Sequence, residues 1–112
     1  MILWHNPRCS KSREALALLQ GKGVEPEVRR YLEDAPSLDE LKAAQAALGL
    51  PAIKMVRVKE PEFAAAGLSK DSDDETLLRA MAEVPKLIER PIAFAATRAV
   101  IGRPPERVLD LL

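Results

Sequence analysis

The stretch Ile2-Leu3-Trp4-His5-Asn6-Pro7-Arg8-Cys9-Ser10-Lys11-Ser12-Arg13 passes from a short apolar strand into a helix. It holds the only cysteine and the only histidine in 112 residues, and three cations, Arg8, Lys11 and Arg13, within six positions. Ile2, Leu3 and Trp4 read as a buried strand. Ser10 to Gln20, with Ala15, Leu16, Leu18 and Leu19 as its apolar residues, reads as an amphipathic helix. Cys9 therefore falls at or just before a helix N-terminus, where backbone N–H groups lack intrahelical partners and the dipole is positive. Both effects favour a thiolate, and the three cations act in the same direction. The same N–H groups can hold a tetrahedral oxyanion. Pro7 and the polar neighbours on both sides argue against the usual alternative, a cysteine serving as a small buried apolar residue.

Outward from this stretch, Gly21-Lys22-Gly23 ends the helix. Val24 to Tyr31 reads as a second strand with Val28 and Tyr31 inward. Strand, helix and strand within about thirty residues form a βαβ unit with parallel strands. Ser37-Leu38-Asp39-Glu40 has capping-box spacing and opens a helix through Leu48 that Gly49 ends. Pro51 to Val58 fits no period cleanly, and a short helix is one reading. Pro61 to Ala66 suits another short helix. Ser72-Asp73-Asp74-Glu75 repeats the capping-box pattern ahead of a helix to Val84 with Leu77, Leu78 and Met81 inward. Ile92-Ala93-Phe94-Ala95 and Arg98 to Ile101 read as an antiparallel hairpin. Gly102-Arg103-Pro104-Pro105 breaks the second of these strands, and a last helix carries Val108, Leu109, Leu111 and Leu112. The order βαβ, helices, ββα gives an α/β fold: a thioredoxin-like four-stranded mixed sheet with an all-helical insertion at about 37–84. The whole of 1–112 is expected to form a single thioredoxin-like domain.

Composition narrows the functions. A chain of 12.3 kDa can bury one core. The formal net charge of +0 points to neither nucleic acid nor a membrane surface. Residues 1–30 nevertheless carry six Arg/Lys against three Glu, and residues 69–76 four acids against one Lys. A basic N-terminal face suits a small anion. The longest uncharged stretch, Ala43 to Ile53, is too short to span a bilayer. With no signal peptide expected and one cysteine, the chain reads as cytoplasmic, and a monomer is expected.

Several chemistries fail on residue count. One Cys and one His cannot make a closed zinc site without carboxylates, and no metal is expected. A low-molecular-weight phosphatase loop needs Arg where this chain has Ala15, and a dithiol site needs Cys where it has Ser12. A Cys–His hydrolase with His5 as base stays open, although no third, orienting group is identifiable. With one cysteine, any oxidised or adducted Cys9 must be resolved by a thiol from outside the chain.

His5 to Arg13, Tyr31-Leu32-Glu33, the Arg57 region, Glu89-Arg90-Pro91-Ile92 and Gly102-Arg103-Pro104-Pro105-Glu106 resemble the glutaredoxin-coupled arsenate reductases, in order and with similar spacing over nearly the whole chain. The loop Arg8-Cys9-Ser10-Lys11-Ser12 looks like that of a shorter, chromosomal-type branch. The resemblance implies reduction of arsenate, or a similar oxyanion, to arsenite, with glutathione as co-substrate, glutaredoxin as protein partner and no tightly bound cofactor. It implies Cys9 as the nucleophile that forms a thiol–arsenate adduct, His5 and Ser12 as supports of the thiolate, and Arg57, Arg90 and Arg103 as the oxyanion clamp. Guanidinium forks suit a tetrahedral anion and offset the repulsion that a thiolate would meet on approaching it. The resemblance also implies a cis peptide bond at Pro91.

Two other functions compete. Cys9-Ser10-Lys11-Ser12 has the Cys-x-x-Ser form of a glutathione-dependent monothiol oxidoreductase acting on mixed disulfides. The same structural family also includes non-enzymatic regulators that bind RNA polymerase, but those sense oxidants through a second cysteine that this chain lacks.

Overall fold

The computed structural model describes residues 1–112, which divide into two compact units: Met1–Asp34 with Arg90–Leu112, and Ala35–Glu89. In the first, β1 (Ile2–Trp4), β2 (Glu27–Arg29), β3 (Ile92–Phe94) and β4 (Ala99–Ile101) form one sheet in the order β2-β1-β3-β4. β1 runs parallel to β2 and antiparallel to β3, which pairs antiparallel with β4. Helix α1 (Ser10–Gly21) makes the crossover between the parallel strands. This is the mixed four-stranded sheet that the βαβ and hairpin patterns predict.

The core of this unit joins Leu3, Ala15, Leu19, Ala93, Val108 and Leu111. It sits where β1 and β3 meet α1 and the C-terminal segment. On β1, Leu3 and Trp4 are buried while Ile2 is exposed, so the strand is less buried than its apolar run suggests. Trp4 instead packs its ring at 4.7 Å from that of Phe94. Ladder pairing in β2 covers only Glu27–Arg29, shorter than the expected Val24–Tyr31. Val28, expected inward, is 41% exposed, because β2 is the sheet edge and too little chain packs over it; Tyr31 is fully buried. The last element, Pro105–Leu111, is a 3-10 helix rather than an α-helix.

The second unit contains α2 (Leu38–Leu48), α3 (Pro61–Ala65) and α4 (Asp74–Glu83), with 3-10 turns at Ala52–Lys54 and Pro85–Leu87. Ser37 forms the capping box with Glu40. At α4 the cap falls one residue later than the sequence suggests. Asp73 accepts from the Thr76 N–H at 2.8 Å, which removes Glu75 from the capping-box position. One isolated antiparallel bridge, Val56 to Ile88, interrupts the helical run. No helix of the chain is long and apolar enough to cross a membrane.

Candidate active site

Cys9 is the N-cap residue of α1, with extended backbone and its N–H donated to the Asn6 carbonyl at 3.0 Å. Its carbonyl accepts from the Arg13 N–H at 3.0 Å and starts the helix. The sulfur is half-buried. Burial alone pushes the thiol up. The Ser12 N–H, the Arg90 guanidinium and the Lys11 N–H outweigh it and hold the thiol below its ordinary value. No side-chain cap bond of ordinary geometry forms, so the two backbone N–H groups act on the sulfur as helix-end dipoles.

The arginines come from the other end of the chain. Arg90 precedes β3 and lies half-buried, while Arg103 follows β4 and is exposed. Arg103 Nη2 stands 3.9 Å from Cys9 Sγ, and its Nε donates to the Arg90 carbonyl at 2.9 Å. That bond ties the two arginines together beside one sulfur. The Arg90–Pro91 and Arg103–Pro104 peptide bonds are both cis; the first matches what the resemblance implies, and no pattern in the sequence marks the second. Gly102 lies between them. A Cβ there would stand 2.8 Å from Pro91 Cγ and 3.1 Å from Val108 Cγ1, so only glycine lets the chain pass this close.

His5 and Ser12 form a buried pair behind the loop. His5 Nδ1 lies 2.6 Å from Ser12 Oγ, which also accepts the Asn6 N–H at 3.0 Å. Burial, then the charges of Arg30 and Arg13, hold the His5 pKa below its ordinary 6.5, so the ring is neutral near pH 7. A neutral ring protonated on Nε2 accepts the Ser12 hydroxyl proton at Nδ1, which satisfies all three groups. Ser12 thus acts on Cys9 through its backbone N–H, while its side chain locks the turn. Asn6, passed over in the sequence, adds Oδ1 as acceptor for the Arg8 N–H at 3.0 Å and so shapes the loop. A buried Asn flanking a turn has no signature beyond its turn propensity.

Arg57 belongs to the second unit. There Nε meets Glu60 at 3.0 Å and Nη1 meets Glu89 at 2.8 Å, and Glu60 also receives Lys86 at 3.7 Å. Cys9, His5, Ser12, Arg90 and Arg103 are thus assembled within the first unit, and Arg57 is held by two carboxylates of the second.

A reactive-thiol centre on a thioredoxin-like sheet is the class of site that this geometry defines. Residues 4–111 match the model of the ArsC family, and the chain belongs to that family. An arsenate reductase of Neisseria meningitidis serogroup A is 46% identical over 112 residues, covering 98% of this chain and 96% of that protein. One of Haemophilus influenzae is 42% identical over 114 residues, covering 100% and 98%. A solved structure described as an arsenate reductase from Vibrio cholerae superposes with a TM-score of 0.95 at 49% identity, covering 99% of this chain and 96% of its own.

Proposed function

We propose that the protein reduces arsenate to arsenite through Cys9, with glutathione and glutaredoxin as external reductants. The observation that carries this reading is the Cys9 sulfur at the α1 N-terminus with Arg103 Nη2 at 3.9 Å and the thiol held low. Family membership supports the substrate class.

The Cys9 thiolate attacks arsenic, a sulfur–arsenic bond forms, and an arsenate oxygen leaves as water. Arsenic is still pentavalent at this stage. A glutathione thiol then attacks the Cys9 sulfur. A disulfide bond forms, the sulfur–arsenic bond breaks, and its electron pair stays on arsenic, which departs as arsenite. Glutaredoxin removes glutathione from Cys9 and restores the thiol, because this chain has no second cysteine to do so. Arg90 and Arg103 offset the negative charge that the thiolate and the oxyanion bring together. Such chemistry needs a reduced glutathione pool, as a cytoplasmic compartment supplies.

The test couples NADPH consumption to arsenate, glutathione, glutaredoxin and glutathione reductase. Arsenate-dependent turnover that disappears in Cys9→Ser is expected. Turnover on glutathione mixed disulfides but not arsenate, unaffected by Arg90→Ala or Arg103→Ala, would favour the monothiol oxidoreductase instead.

A further inference from the structure

The register of the sheet brings one more side chain to this site. Trp4 is paired on one side with Arg29 and on the other with Ile92. Past that row, the His5 N–H still reaches the Arg29 carbonyl at 2.8 Å. Following the parallel and antiparallel pairings onward leads from Trp4 to Asn6, from Arg29 to Tyr31 and from Ile92 back to Arg90. Tyr31, the chain's only tyrosine, therefore ends at the same edge of the sheet as Arg90 and the loop that carries Cys9.

Tyr31 is fully buried, and both its hydroxyl oxygen and Arg90 Nε are shut off from solvent. A buried phenol needs an internal partner. The Arg90 guanidinium acts electrostatically on both this hydroxyl and the Cys9 sulfur. The guanidinium thus acts on an interior hydroxyl and on the reactive thiol alike. Without the hydroxyl, the flexible Arg90 side chain loses its inner anchor and can turn to water, away from the sulfur.

We propose that Tyr31 is a positioning residue for the thiolate, its hydroxyl accepting from Arg90 and holding that guanidinium against Cys9. The proposal rests on Cys9 as the nucleophile but not on arsenate as the substrate.

The test is the pH profile of Cys9 alkylation by iodoacetamide, followed with thiolate absorbance near 240 nm. In Tyr31→Phe, which keeps the ring and its packing, the apparent thiol pKa is expected to rise by about half a unit to one unit. In an Arg90→Ala background, where the pKa is already raised, Tyr31→Phe is expected to add nothing. An unchanged pKa in Tyr31→Phe, or the same rise with and without Arg90, would overturn the proposal. Should Tyr31→Phe not fold, Tyr31→Met serves, since it keeps a large apolar side chain and removes the hydroxyl. A raised pKa then supports the proposal, and an unchanged one overturns it. Failure of arsenate turnover alongside the Arg90-dependent shift removes the substrate and leaves Tyr31 in this role.

Discussion

His5, Ser12 and the Asn6 N–H satisfy one another out of reach of water, and that closure makes each of them sensitive to loss. Ser12→Ala strands the Asn6 N–H and His5 Nδ1 inside the protein. It should lower stability by about 1–3 kcal/mol, read as a lower urea midpoint with the slope unchanged. The pH dependence follows from the depressed His5 pKa. The unfolded chain takes up a proton near pH 6.5 and the folded protein only at lower pH. In that window the unfolded state binds more protons, so stability falls as pH drops below about 6.5 and levels off below the folded pKa. His5→Gln should flatten this slope in urea titrations between pH 7 and 5, a range above most carboxylate titrations. The sequence marks Cys9 and His5 by their uniqueness and their basic surroundings. It does not show that His5 reaches Ser12 rather than the thiol, because one turn of helix and the loop bend decide that.

At the scale of elements, the close crossing at Gly102 makes the sharpest prediction. Gly102→Ala forces the Pro91 ring and Val108 apart, since the ring cannot swing away as a flexible side-chain end would. A loss of about 1–3 kcal/mol is expected from such overpacking, visible as a lowered Tm. Displacement of the neighbouring Arg103 should also slow Cys9 alkylation. In the sequence, Gly102-Arg103-Pro104-Pro105 reads only as a strand breaker, because a close approach between segments is a tertiary fact without a local pattern. The Ser37 capping box was legible because both partners lie three residues apart. Ser37→Ala should cost about 1 kcal/mol in thermal unfolding. At α4 the sequence offers two good caps in a row, Ser72 and Asp73. Only the fold, in which Asp73 binds the Thr76 N–H, chooses between them. The exposure of Val28 has a related cause: alternation gives the face of a strand but not whether that strand lies at an edge.

For the whole molecule, element order gave the sheet because a βαβ unit and a hairpin leave few ways to pair four strands. The arginines were legible only through resemblance, since a chain rich in charge offers many equivalent candidates. Arg57 is where that reading most needs a measurement. In its own unit Glu60 and Glu89 occupy two edges of its guanidinium, so its charge is already compensated before any anion arrives. If the proposed clamp includes Arg57, these carboxylates compete with the oxyanion. Replacing one by a neutral amide should then tighten oxyanion binding, not weaken it. A pair of this kind is worth about 0.2–1 kcal/mol, so Glu89→Gln should lower KM for arsenate by roughly 1.5- to 5-fold with kcat little changed. Arg57→Ala should raise KM and also lower the Tm, because it takes from Glu60 and Glu89 the guanidinium they share. A purely structural Arg57 gives a different pair of results: the Tm falls in Arg57→Ala, while KM is the same in wild type, Arg57→Ala and Glu89→Gln. Steady-state kinetics with arsenate varied at saturating glutathione and glutaredoxin, run beside thermal melts of the same three proteins, separates the two.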